Sequence, residues 1–164
     1  MPIAQISSAL ERLIQVHQSL LQLSATKTDL LKTGEIEEVQ QILKAEQKHI
    51  QAIDKLEKQR LKAVDQWALQ YQLTDDQKTI TTFIEKVDND NDRESLEKLS
   101  TELAKVLVEL KAQERLNQEL TQQSMQFVQM NLDLISPTIE QVNYGNKKNE
   151  NDPQSKRSTF DSKA

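Results

Sequence analysis

The sequence predicts an all-α fold: an elongated antiparallel helical hairpin or bundle of coiled-coil type, with three long helices, one short helix and a disordered C-terminal tail. Three observations lead there. Two glycines and three prolines in 164 residues are too few turn formers for a sheet protein. Only 4% of the residues are aromatic and 36% hydrophobic, which suits a thin core between helices better than a thick globular one. Apolar residues also recur at alternating spacings of three and four, the period of one helix face.

The first helix is expected over about residues 3–32. Pro2 is well placed ahead of it, and Ile6, Leu10, Leu13, Leu20 and Leu31 form its inner stripe. His17 and Ser24 fall on that same stripe and read as polar members of a structural seam. Gly34 supplies the left-handed residue that ends the helix, and Glu35 with Glu37 suit the positive start of the next. So short a turn implies an antiparallel hairpin. The second helix, about 35–72, carries Ile36, Val39, Leu43, Glu46, Ile50, Ile53, Arg60, Val64, Trp67 and Tyr71 near heptad spacing. Glu46 and Trp67 join His17 and Ser24 in the seam, and a turn at Gly34 sets Glu46 level with Leu20 to Ser24.

Thr74-Asp75-Asp76-Gln77 is a capping box that opens a short third helix over about 75–87. The run Asp88-Asn89-Asp90-Asn91-Asp92 breaks it, and Asn91 or Asp92 can cap a fourth helix over about 93–136 that ends at Ser136-Pro137. The fourth helix has an unbroken stripe: Leu96, Leu99, Leu103, Val106, Leu110, Gln113, Asn117, Leu120, Ser124, Phe127, Asn131 and Leu134. Its first part is apolar; then Asn117, Ser124 and Asn131 interrupt it at intervals of seven. Buried polar groups without partners cost stability, so such a surface suits an incoming helix able to satisfy them. Beyond Tyr144 one aromatic and no aliphatic stripe remain. The expected division is a helical domain over 1–142 and a flexible tail over 143–164.

Net charge is −5, with +2 in Gly145–Ala164 and −7 in residues 1–144. An acidic body repels phosphates, so nucleic acid is not an expected partner. No apolar run reaches the roughly 18 residues of a membrane span, and the first residues lack a secretory pattern, so the expected location is the cytoplasm without membrane insertion. With no cysteine there is no thiol nucleophile or thiolate metal site.

Catalytic and metal constellations are not expected. Glu46 and His49 have Glu-x-x-His spacing, but a dinuclear carboxylate bundle needs that motif twice, and His17 has no Glu three residues before it. Asp88, Asp90 and Asp92 imitate the start of a calcium loop, yet Arg93 stands where glycine is needed and Leu99 where a bidentate glutamate is needed. Neither histidine has the surroundings of a phosphotransfer site. No cofactor or metal is called for, and no enzyme is expected.

Several segments resemble the FlgN family of flagellar export chaperones for hook–filament junction proteins. They are the opening Leu-rich hairpin with Lys27 and Gly34, the second helix with Glu46 and Leu56-Glu-Lys-Gln-Arg60, the run LNQELTQQSMQFVQMN, and Tyr144-Gly145 before the tail. Leu116-Asn117-Gln118 with Asn131, followed by Tyr-Gly, is the most telling combination. The resemblance implies a cytoplasmic chaperone that binds the amphipathic terminal helices of hook-associated junction proteins, prevents their aggregation or premature assembly, and delivers them to the type III export gate. It implies a client surface at Asn117, Leu120, Ser124, Phe127, Asn131 and Leu134, and export-gate docking through Tyr144 and Gly145. After Tyr-Gly the chain continues Asn-Lys-Lys-Asn, where many members carry another glycine. The alternative is a self-associating structural or adaptor coiled coil, whose stripes serve a homodimer or a tetramer.

Overall fold

Pro2 occupies the first position of a helix, where its missing N–H breaks no bond, and α1 runs Pro2–Thr33. The computed structural model describes the backbone of residues 2–146 and the side chains of residues 2–135. Helix α2 is Ile36–Gln70, a 3₁₀ turn is Asp75–Gln77, α3 is Ile80–Lys86 and α4 is Asp90–Asn146. The fold is all-α, with no strand among the described residues. The chain forms two compact units, Met1–Thr121 and Gln122–Ala164, and α4 contributes to both.

Within the first unit, the hairpin turn is set by backbone chemistry. Gly34 has φ +76°, and the Glu35 N–H reaches back to the Leu30 carbonyl at 3.1 Å. That long bond closes a Schellman ending and lets the chain reverse. Helix α2 ends the same way without a glycine: Gln72 takes φ +53°, and the Leu73 N–H bonds the Ala68 carbonyl at 3.0 Å.

The third helical segment differs from expectation. Instead of one helix over 75–87, Thr74 opens a 3₁₀ turn, its N–H donating to Gln77 Oε1 at 3.1 Å, and Thr79 caps α3 by accepting from the Thr82 N–H at 3.3 Å. Two capping threonines, Thr74 and Thr79, make two short pieces preferable to one continuous helix. Lys78 fixes the turn against α2 through Asp65 (2.8 Å) and Asp75 (2.7 Å).

The start and end of the fourth helix also move. Helix α4 begins at Asp90 rather than 93, because the Asn89 side chain accepts the Asn91 N–H at 2.9 Å and so takes the capping role expected of Asn91 or Asp92. Asp90 and Asp92 then lie in the first turn, where carboxylates are favoured by the helix dipole. Arg93 turns back to donate to the carbonyls of Ile84 (3.1 Å) and Val87 (2.7 Å), which satisfies the end of α3. At its far end α4 passes through Pro137 to Asn146. Proline removes only its own N–H bond and crowds one carbonyl, a local cost that does not oblige a helix to stop.

The apolar core of the first unit gathers Ile6 and Leu10 of α1, Ala63, Val64 and Trp67 of α2, Phe83 of α3, Val87, and Leu96 of α4. Trp67 stacks on Phe83 with centroids 4.2 Å apart and touches Tyr71 at 4.4 Å; its indole N–H has no partner. Leu96 sits with Ile6 and Leu10, while Asn117 meets Ser24, so α4 runs parallel to α1 in this unit and antiparallel to α2. On α2, Val39 and Glu46 are buried but Ile36, Leu43 and Ile50 are exposed, so only one edge of its expected stripe is covered.

Candidate functional site

Where α1, α2 and α4 of the first unit come together above the apolar core, the layer turns polar. Lys27 of α1 and Glu46 of α2 are both buried. Lys27 Nζ lies 2.9 Å from Glu46 Oε1 and donates to Oε2 at 3.0 Å, so Oε1 is held by charge rather than by a directed bond. The same ammonium donates to both oxygens of Glu114 on α4, at 3.1 and 3.2 Å. One cation thus joins three helices.

Ser24 extends the layer. Its hydroxyl donates to Glu114 Oε1 at 2.6 Å and accepts from Asn117 Nδ2 at 3.0 Å, and the same amide donates to the Ser24 carbonyl at 2.9 Å. Thr28 lies between the Asn117 carboxamide oxygen and the Ser24 carbonyl, and accepts from the Gln113 amide. Apart from Glu46 Oε1, the polar side-chain atoms enclosed here bond to another helix, which makes the layer a register device.

The two histidines are engaged as hydrogen-bonding groups. His17 is buried, with Nδ1–H donating to the Leu13 carbonyl at 2.7 Å. His49 donates from Nδ1 to the Ala45 carbonyl at 2.8 Å, and its Nε2 faces the Ser19 hydroxyl at 2.8 Å. A carbonyl can only accept, so the proton on each Nδ1 is fixed. Both ring nitrogens of His49 are therefore occupied by the hairpin itself.

The stripe of α4 changes character along its length. Asn117 is buried with its carboxamide facing α1, not free for an outside helix, and Leu120 is half-buried. In the second unit Ser124, Phe127 and Leu134 are exposed and Asn131 is half-buried, its amide turned back onto the Phe127 carbonyl at 3.0 Å. Met125, Phe127, Val128, Met130, Leu132, Leu134 and Ile135 are each between 53% and 68% exposed. These seven side chains form one exposed apolar segment of α4.

A family model described as FlgN protein matches residues 1–152, which include all of these positions. The chain belongs to the FlgN family. A Bacillus subtilis (strain 168) relative, the uncharacterized protein YvyG, is 37% identical over 160 residues, covering 97% of each chain. No solved structure matches. FlgN proteins are chaperones of flagellum biogenesis, a class that binds other proteins rather than turning over a substrate.

For this FlgN chain, the seam residues His17, Ser24, Glu46 and Trp67 are all buried in the first unit. Glu46 meets Lys27, a few residues past the Leu20–Ser24 level expected for it, because the lysine is the group able to neutralise it. Lys27, Thr28 and Glu114 complete the polar layer and were not singled out by seam periodicity. The signal was present: Ser24, Lys27 and Thr28 share one face of α1, and Gln113, Glu114 and Asn117 share one face of α4. Tyr144 and Gly145 lie on the backbone of α4, and their side-chain surroundings fall outside the described residues, as does the tail over 147–164. No helix among the described residues is long and apolar enough to cross a membrane.

Proposed function

We propose that this FlgN-family protein is a cytoplasmic flagellar export chaperone for hook-associated junction proteins. It binds their amphipathic terminal helices, prevents aggregation or premature assembly, and delivers them to the type III export gate. The uncovered apolar segment of α4, within a chain of this family, carries the proposal. Leu120, Phe127 and Leu134 act as anchors, and Ser124 and Asn131 set the register of the client helix. Asn117, whose carboxamide is taken up by Ser24 and Thr28, is engaged within the first unit.

More than half of each of the seven side chains is open to water. At about 1–1.5 kcal/mol apiece, client helices that together cover all seven gain roughly 7–10 kcal/mol gross, against which the cost of ordering and association is set.

Co-purification of the full chain with candidate junction proteins, followed by mass measurement of the complex, tests the proposal. A stable complex lost on truncation from Gln122, which leaves the first unit whole, supports it. A chain that binds no junction protein but sediments as two copies, reverting to one with Phe127→Gln, supports the self-associating coiled coil instead. For delivery, Tyr144→Ala is expected to leave client affinity within about twofold while weakening capture by the export gate, since a short motif docks separately from the client surface. A large fall in client affinity would refute that division of labour.

A further inference from the structure

The exposed segment of α4 carries two rows of exposed side chains, not one. Phe127, Asn131 and Leu134 form the row continuous with the heptad stripe. A second row, Met125, Val128, Leu132 and Ile135, follows the same three–four–three spacing and is exposed along its whole length. Each of its last three members sits one residue after a member of the first, so the rows are rotated by about 100° on a helix of 3.6 residues per turn. From Met125 to Ile135 the polar side is reduced to Gln126, Gln129 and Asp133, with Gln129 donating to Asp133 at 3.0 Å.

One helix packed on another covers a stripe of about 100°. It cannot cover two rows whose centres are about that far apart. The arrangement matches a helix in a four-helix bundle, which meets two neighbours at roughly a right angle. We infer that α4 engages two helical segments of one client molecule at once, one in each row. The inference rests on the chaperone reading above.

The rows differ in chemistry, so the two segments differ. Asn131 uses its amide on the Phe127 carbonyl and leaves its Oδ1 as an acceptor, so the first segment presents a hydrogen-bond donor among its apolar groups. The second row has no polar member, and its segment presents an apolar face throughout. A second copy of this chain is a poor occupant for the second row, because four residues are far below the roughly 20–30 per side of a stable interface. Two linked segments avoid that shortfall, since the first contact raises the effective concentration of the second.

A photo-crosslinker placed at Phe127 in one full-length variant and at Leu132 in another, each bound to a junction protein that the wild-type chain retains, tests the inference. Crosslinks to two different helices of a single client molecule are expected. In parallel, Val128→Gln with Leu132→Gln is expected to weaken client binding at least about tenfold, as Phe127→Gln with Leu134→Gln does. All four positions are exposed, and unchanged circular dichroism verifies that the fold is kept. Crosslinks from both positions to one client helix, crosslinks from Leu132 to another copy of this chain, or wild-type affinity in the second-row variant overturns the inference while leaving the chaperone reading intact. Failure of the wild-type chain to retain any junction protein overturns both.

Discussion

Replacing Lys27 by methionine is the most informative perturbation of the polar layer. Lysine and methionine are similar in length, so the change removes the charge and leaves most of the packing. Glu46 loses its counterion while remaining buried, and breaking a buried ion pair from one side costs about 3–5 kcal/mol. Glu114 adds little to that figure because its side chain is 43% exposed and water screens it. For a chain of this size the loss lowers the melting temperature by roughly 10 °C. The companion change Glu46→Leu in the same protein removes the stranded carboxylate, so the double variant is expected to recover most of the loss. Urea unfolding, followed by circular dichroism and by emission of Trp67, the only tryptophan, provides the measurement. A single variant within 1 kcal/mol of wild type, or a double variant less stable than the single one, would falsify the view that Lys27 neutralises a buried Glu46.

Three further outcomes follow from named contacts. Asn117→Ala removes the amide that bridges Ser24 and Thr28, and is expected to destabilise the first unit by about 1–3 kcal/mol in the same unfolding assay. Phe127→Gln with Leu134→Gln touches only exposed positions, so stability changes by less than about 0.5 kcal/mol while junction-protein retention falls; loss of helicity in circular dichroism would contradict this. Gly34→Ala is expected to cost about 1 kcal/mol by thermal unfolding, entirely from backbone conformation, since a Cβ there meets no atom within 4 Å.

Much of the fold was legible because it depends on periodicity and on a few punctuation residues. Gly34 marks the hairpin, the heptads mark the helices, and Trp67 and Leu96 lie in the core where their stripes place them. The boundaries around Asp75 to Asp92 were less legible. Thr79, Asn89 and Arg93 decide them through side-chain bonds to particular backbone groups, and several residues in that stretch had equal capping credentials. At the candidate site, the stripe from Asn117 to Leu134 reads as one surface by spacing alone. Burial divides it, because Asn117 has partners on α1 whereas Phe127 and Leu134 are open to water. The second row lies one residue off the heptad seam, so periodicity along that seam does not mark it.

A single ammonium shared by carboxylates from two other helices ties positions 27, 46 and 114 into one hereditary unit. Either acid can be exchanged alone and a neutral couple survives, but the lysine cannot be lost first without marooning the acid on α2. Mutational routes through this trio are therefore ordered, and in an alignment of the family the lysine is expected to be absent only where position 46 is no longer acidic.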